Sequence, residues 1–230
     1  MALSAEQLKR AAAERAVELV QSGMRLGLGT GSTAKHVLDV IAERMRDGSL
    51  NDVVGVPTST ATADYARTLA IPLTTLDDQP HLDLAIDGAD EVDPSLQLIK
   101  GLGGALLWEK IVENAADRLV IVVDESKLVA RLGVRTALPV EVVPFGWRTH
   151  LEFFRDLGAE PALRTVESGE PLVTDGGHYI VDCRFHNGIA DPIELEAEMA
   201  ARVGVVECGL FVNMASDVIV AGDEVRMMSR

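Results

Sequence analysis

The chain has 230 residues, 47% hydrophobic, 25% charged and only 4% aromatic. That apolar share supports a packed core and excludes a disordered chain, and the length fits one large domain or one domain with a small satellite. The balance of 21 basic against 36 acidic residues, a net −15, excludes a general electrostatic footprint for nucleic acid or an anionic membrane. No run approaches the roughly 18 apolar residues that span a bilayer, and the opening MALSAEQLKRAAAER reads as a charged helix rather than a signal peptide. Cys183 and Cys208 have neither disulfide-framework nor metal-pair spacing. A cytoplasmic protein without structural zinc is expected. Any anionic ligand must be held locally, and the lysines available for that are few: Lys9, Lys35, Lys100, Lys110 and Lys127.

Helix and strand patterns alternate through the first half. Ser4 to Gln7 is a capping box, and Leu8, Ala12, Ala16, Leu19 and Val20 stripe the helix that follows. Met24 to Leu28 reads as a short strand running into the turn Gly29-Thr-Gly-Ser-Thr33, and a helix spans 34–46. Val53 to Val56 is a buried strand, 58–69 a helix, and Leu82 to Ile86 a strand ending in Asp87-Gly-Ala-Asp-Glu-Val-Asp93. A helix over 104–116 leads to Leu119–Val123, the most apolar strand of the chain. This βαβ succession predicts an α/β fold with a mostly parallel sheet covered by helices.

Beyond Gly133, prolines at 139, 144, 161, 171 and 192 punctuate shorter segments: strands near 140–143, 162–164 and 178–183, helices near 147–157 and 194–202. Such lengths suit a small α+β unit, while Gly209–Asn213 and Asp217–Val220 read again as buried strand that returns to the first sheet. The expected division is therefore a main domain of 1–132 plus 206–230 with a unit of 133–205 inserted.

Four motifs carry chemistry. Gly29 to Ala34 follows a strand and opens a helix, where backbone N–H groups and hydroxyls hold a phosphate. The spacing also fits a dinucleotide fingerprint, but the second strand ends Val56-Pro-Thr-Ser-Thr60 without the acidic residue that would hold a ribose. Asp87, Asp90, Glu91 and Asp93 put four carboxylates in seven residues at a strand end; they lack calcium-loop spacing. Glu91 and Asp93 fit a solvated acidic turn, whereas Asp87 and Asp90 fit a ligand. Lys100 precedes the turn Gly101-Leu-Gly-Gly104, and Glu109 follows on a helix beside Leu106, Leu107 and Trp108, company that raises a carboxyl pKa toward the range of a general base. Lys127 closes the set after the Val-rich strand. The ordinary alternatives are a tight turn, a solvated helix glutamate and a capping turn with an exposed lysine. A hydroxyl-rich, phosphate-bearing ligand without a nucleobase satisfies all four strand ends at one sheet edge. The five histidines are scattered and none is assigned to chemistry.

Together Gly27–Ala34, Asp87–Asp93, Lys100–Lys110 and Asp124–Lys127 closely resemble the A-type ribose-5-phosphate isomerases. Pro139–Phe145, Ala190–Ile193 and Gly209–Ala215 extend the likeness over nearly the whole chain. The resemblance implies a Rossmann-like domain with a small inserted ferredoxin-like lid, a cytoplasmic homodimer or homotetramer, and interconversion of ribose 5-phosphate and ribulose 5-phosphate without metal or organic cofactor. Carried over by position, Thr30, Gly31, Ser32, Thr33 and Lys127 are the phosphate and hydroxyl contacts, with Lys9 a further phosphate partner. Asp87 and Asp90, with Gly88 and Ala89 between them, handle ring opening and proton traffic. Lys100 with Gly101, Leu102 and Gly103 stabilises the enediolate oxygen, and Glu109 is the base. Two positions depart from the pattern: Leu102 stands where glycine is expected, and Trp108 where arginine is common, which removes a cation beside Glu109 and should raise its pKa. Competing readings are an amino-sugar-phosphate deaminase or coenzyme-A transferase of related fold, or a silent sugar-phosphate sensor; the last normally carries a DNA-binding module.

Overall fold

The structure, a computed structural model, describes residues 4–230. It contains helices α1 (Ala5–Val17), α2 (Ser32–Arg46), α3 (Thr60–Thr68), α4 (Leu106–Asn114), α5 (His150–Asp156) and α6 (Pro192–Ala200). The strands are β1 (Arg25–Leu28), β2 (Val54–Pro57), β3 (Leu84–Asp87), β4 (Glu91–Val92), β5 (Leu98–Ile99), β6 (Leu119–Asp124), β7 (Leu138–Val142), β8 (Glu160–Leu163), β9 (Tyr179–Arg184), β10 (Val205–Cys208), β11 (Leu210–Phe211), β12 (Asp217–Ala221) and β13 (Val225–Ser229). The opening stretch is helical from Ala5, capped reciprocally by Ser4 and Gln7; residues 1–3 lie outside the described residues.

Two compact units result, one of Met1–Ala89, Trp108–Lys127 and Met214–Arg230, the other of Asp90–Leu107 and Leu128–Asn213. The first holds a six-stranded sheet in the order β13-β12-β6-β3-β1-β2, parallel except for the β12–β13 edge hairpin. Alternation along the strands sorts its two faces. Leu26, Leu28, Leu84, Ile86, Val120 and Val122 pack beneath α1 and α2, against Ala12, Ala16, Val37, Leu38 and Ile41. On the other side, α4 sends Val112 against Val56 and Leu82. Asp87 follows Ile86 and so shares the α4 face with Ala85.

The second unit contains an antiparallel sheet β10-β7-β9-β8 and a three-stranded ribbon β11-β5-β4. Its core gathers Leu138, Val140, Val142, Val181 and Cys183 from one sheet face with Phe154 of α5 and Leu195 and Met199 of α6. Both cysteines are buried there, outside any disulfide.

The second unit is larger than the 133–205 segment expected from sequence. Residues 90–107 join it because β5 pairs with β11, and so Leu210–Phe211 stays in this unit rather than returning to the first sheet. The chain returns to that sheet with β12, beside β6, and β13 pairs with β12. The acidic turn contains β4, and Glu91 is not solvated. It is fully buried, its Oε2 accepting from the Gly133 amide (2.6 Å) and its Oε1 from the amides of Arg135 (2.8 Å) and Thr136 (2.6 Å) and the Thr136 hydroxyl (3.0 Å). Asp93 is half-buried and closes a local turn, accepting from the amides of Ser95 and Gln97.

Candidate active site

In the first unit, β1 ends at Leu28 and the chain turns through Gly29, Thr30 and Gly31 into α2. Gly31 caps the helix at φ +104° without a side-chain cap, and the first intrahelical bond runs from the Lys35 amide to the Gly31 carbonyl (3.1 Å). The Ser32, Thr33 and Ala34 amides of the first turn therefore have no partner among the described residues. Unsatisfied amides at the positive end of a fifteen-residue helix are the groups that hold a phosphate. Ser32 is exposed and Thr33 half-buried beside them. Thr30 faces the other way: its hydroxyl meets those of Thr58 (2.7 Å), Ser59 (2.8 Å) and Thr62 (3.0 Å), so it fixes the turn to α3. A cavity of about 320 Å³ opens on that side, lined by Gly29, Thr30, Gly31, Lys35, Thr62 and Tyr65 among others.

Asp87 ends β3, and only 1% of it is exposed. Its Oδ1 accepts from the Thr30 amide (3.0 Å) and from the Gly88 amide (2.6 Å), so the turn that opens α2 and the carboxylate hold each other. Gly29 makes this possible, since a Cβ there would lie 2.2 Å from Asp87 Oδ1. Gly88 and Ala89 continue the turn, half-buried. On α4, Glu109 is 5% exposed and Glu113, one turn on, 3%. Lys127 ends a short 3₁₀ turn, Glu125–Lys127, that follows β6; it is half-buried and forms no ion pair among the described residues. Lys9 lies on α1 with its ammonium 2.9 Å from Glu6, whose other oxygen meets His36 of α2.

In the second unit, Lys100 follows β5 and is 2% exposed; its Nζ lies 5.4 Å from the centre of the Phe211 ring and its amide donates to Gly209 (2.9 Å). It therefore does not stand at an end of the parallel sheet, as the alternating sequence pattern suggests; the ribbon β11-β5-β4 carries it instead. The turn that follows uses φ +103° at Gly101 and +84° at Gly104, whereas Leu102 and Gly103 keep negative φ. A side chain at 102 is thus compatible with this turn, and Leu102 projects outward, 45% exposed. Its amide donates to Asp90 Oδ2 (2.9 Å). Both carbonyls of the Gly101–Leu102 segment accept from Arg164 Nη1 (2.9 Å each). Sequence reasoning missed Arg164. Nothing in a short strand at 162–164 signals that its side chain reaches residues 62 and 63 positions away.

Among the described residues no group of three His, Cys, Asp or Glu side chains is arranged to hold a metal ion, and no helix is long and apolar enough to cross a membrane. Four of the histidines are placed without touching the candidate residues: His36 meets Glu6, His178 meets Glu141, His186 meets Glu160, and His150 is buried beside Phe154.

The sequence profile of the ribose 5-phosphate isomerase A (phosphoriboisomerase A) family matches residues 54–225. The chain belongs to this family. A ribose-5-phosphate isomerase A from Synechococcus sp. (strain JA-3-3Ab) is 54% identical over 96% of this chain and 96% of its own. A solved D-ribose-5-phosphate isomerase in complex with phospho-erythronic acid superposes with a TM-score of 0.96, at 39% identity, over 99% of this chain and 100% of that one. The ribose 5-phosphate isomerase of Plasmodium falciparum gives 0.94 at 40% identity, covering 98% and 99%. Family membership sets aside the deaminase, transferase and sensor readings.

Proposed function

We propose that the chain interconverts ribose 5-phosphate and ribulose 5-phosphate, with Glu109 as the proton carrier. Family membership over nearly the whole length supports the reaction. One observation supports the residues: Asp87, Lys100 and Glu109 are all withdrawn from water, at 1%, 2% and 5% exposure, although each type is seldom buried in a fold for structural reasons alone.

The reaction needs a sugar phosphate opened to its aldehyde, a base that takes the proton from C2 and returns it at C1, and a donor for the negative charge that develops on the enediolate oxygen. Glu109 takes and returns the proton. Lys100, with the Gly101–Gly103 turn, stabilises the enediolate, and Asp87 and Asp90 serve the ring opening and the hydroxyl protons. The phosphate, several bonds from the reacting carbons, is held by the Ser32 and Thr33 amides and hydroxyls with Lys127. Lys9 is a weaker partner because Glu6 already engages its ammonium.

We also place the protein in the cytoplasm, where its two buried thiols stay reduced, and assign it a homodimeric or homotetrameric state. Phe145 and Val203, each more than nine-tenths exposed, are large apolar groups that assembly would cover. The test is direct formation of ketopentose from ribose 5-phosphate in the presence of chelator. Glu109→Gln should keep substrate binding and lower kcat by about 10²–10⁴-fold, the usual contribution of a general base. Retention of more than roughly a tenth of kcat removes Glu109 from that role.

A further inference from the structure

We infer that Arg164 is a positioning residue for the isomerisation: forked between Asp182 and the Gly101 and Leu102 carbonyls, it orients the turn that follows Lys100. The inference rests on the proposed role of Lys100 and its turn at the enediolate oxygen.

The antiparallel sheet of the second unit has two faces. Val181, Cys183, Leu138 and Val140 point into the helix-covered core. Ile180 and Asp182 therefore point to the other side. Arg164 follows β8 directly and is held opposite Ile180, its amide donating to the Ile180 carbonyl (2.8 Å) and its own carbonyl accepting from Leu172 (3.0 Å). That register makes Asp182 its diagonal neighbour on the same face, within reach of a long side chain. Arg164 Nε donates to Asp182 Oδ2 (2.9 Å) and Nη2 pairs with the other carboxylate oxygen. The side chains are only 12% and 26% exposed, so this is a fixed fork rather than a solvated pair.

The fork leaves Nη1 for the turn. One peptide group, Gly101–Leu102, is gripped at both ends: its oxygen by Arg164 and its N–H by Asp90 Oδ2. The next peptide has its oxygen on the same Nη1. Because a peptide is planar and trans, fixing the oxygen fixes the direction of its N–H. The Leu102 carbonyl bond thus aims the Gly103 amide to the side away from Arg164. A lysine at 164 could not do this, since a point charge does not bind a carboxylate and two carbonyls in one plane. Asp182 balances the guanidinium, so the device orients dipoles without adding net charge beside Lys100. Gly104 continues on the same sheet face, near Leu172 and Ile180.

The full chain carrying Arg164→Met, and separately Asp182→Asn, is assayed with ribose 5-phosphate, and the folded fraction at the assay temperature is read from thermal unfolding. Misplacement of a catalytic group by about 1 Å costs roughly 10²-fold, so Arg164→Met should lower kcat by about 10- to 100-fold with KM within about threefold. Asp182→Asn, whose amide oxygen still accepts one bond, should show a smaller loss in the same direction. Millimolar guanidinium, well below denaturing levels, should restore kcat to Arg164→Ala several-fold, and ammonium should not. The inference is overturned if Arg164→Met keeps kcat within about threefold, if only KM rises, or if the loss follows the unfolded fraction and guanidinium restores nothing. A wild-type chain that fails to isomerise ribose 5-phosphate would defeat the activity itself. An active wild type with an inactive Glu109→Gln and an unaffected Arg164→Met would defeat this inference alone.

Discussion

At the scale of single residues, close approaches set the chemistry. Gly29 has no room for a methyl group because Asp87 Oδ1 occupies the place where its Cβ would sit, 2.2 Å away. Gly29→Ala must displace either the carboxylate or the turn bonded to it, and with Asp87 in the role proposed a shift near 1 Å should lower turnover by roughly 10²-fold. Steady-state kinetics on a folded Gly29→Ala protein checks this, and an unchanged kcat would mean that Asp87 needs no such exact seat. Lys127 differs, because the phosphate contact proposed for it would be present in ground and transition states alike. Lys127→Ala should raise KM for ribose 5-phosphate by about 10- to 150-fold, the equivalent of a charge-assisted bond of roughly 1.5–3 kcal/mol, with a far smaller change in kcat. An unchanged KM would make it an ordinary surface lysine. Glu91 shows where sequence reading stops. Its donors come from Gly133, Arg135 and Thr136, more than 40 positions away, and a carboxylate in an acidic cluster looks solvated until those amides are found. The place of Asp87, at a strand end beside a glycine turn, was legible because both lie in recognisable local patterns.

At the scale of elements, capping and burial decide which sequence signals survive. The capping box of α1 and the apolar stripe of α2 are local, and both helices form where the pattern puts them. The two-residue strands β4 and β5 exist through pairing with each other, with β11 and with Leu128, so no periodicity announces them. The edge strand β13 is exposed along almost its whole length and has no alternation to read. The cap of α6 is a local device that can be measured. Asp191 accepts from the amides of Ile193 and Glu194 (3.0 Å each), with Pro192 in the first turn. Asp191→Ala should cost about 1 kcal/mol of stability, read by denaturant unfolding. In α5, burial first and the Arg202 charge second hold the His150 imidazole below its ordinary value of 6.5. The unfolded chain therefore takes up a proton that the native chain resists. Stability should fall as pH drops below about 6.5 and level off beneath the folded value. His150→Gln should remove that part of the slope between about pH 5 and 7 in urea titrations. An unaltered slope would assign the acid lability to the carboxylates alone.

At the scale of the whole molecule, the parallel sheet was readable because strands and helices alternate along the chain, and parallel strands require such crossovers. The membership of residues 90–107 in the second unit was not, because a unit is defined by which distant strand pairs with which, and Leu98–Ile99 finds Leu210–Phe211 across more than a hundred positions. Charge, by contrast, is a property of the whole that the sequence states outright, and it makes a prediction of its own. A chain of net −15 repels a sugar-phosphate dianion at long range, while the amides at the start of α2 act only at contact. Raising ionic strength from about 0.01 to 0.15 M shortens the screening length from roughly 30 to 8 Å. That suppresses the repulsion between molecules still well apart and leaves hydrogen bonds at contact distance almost untouched. The rate constant kcat/KM for ribose 5-phosphate should therefore rise with salt over this range, with the rise carried by KM. In a basic, steered site the same quantity falls. Unphosphorylated ribose, if it reacts, should show no salt dependence, which separates screening of the phosphate from any general effect of salt on the protein. A steep fall in kcat/KM with salt would show instead that Lys127, Lys9 and the α2 helix end generate a local positive field that outweighs the net charge of the chain.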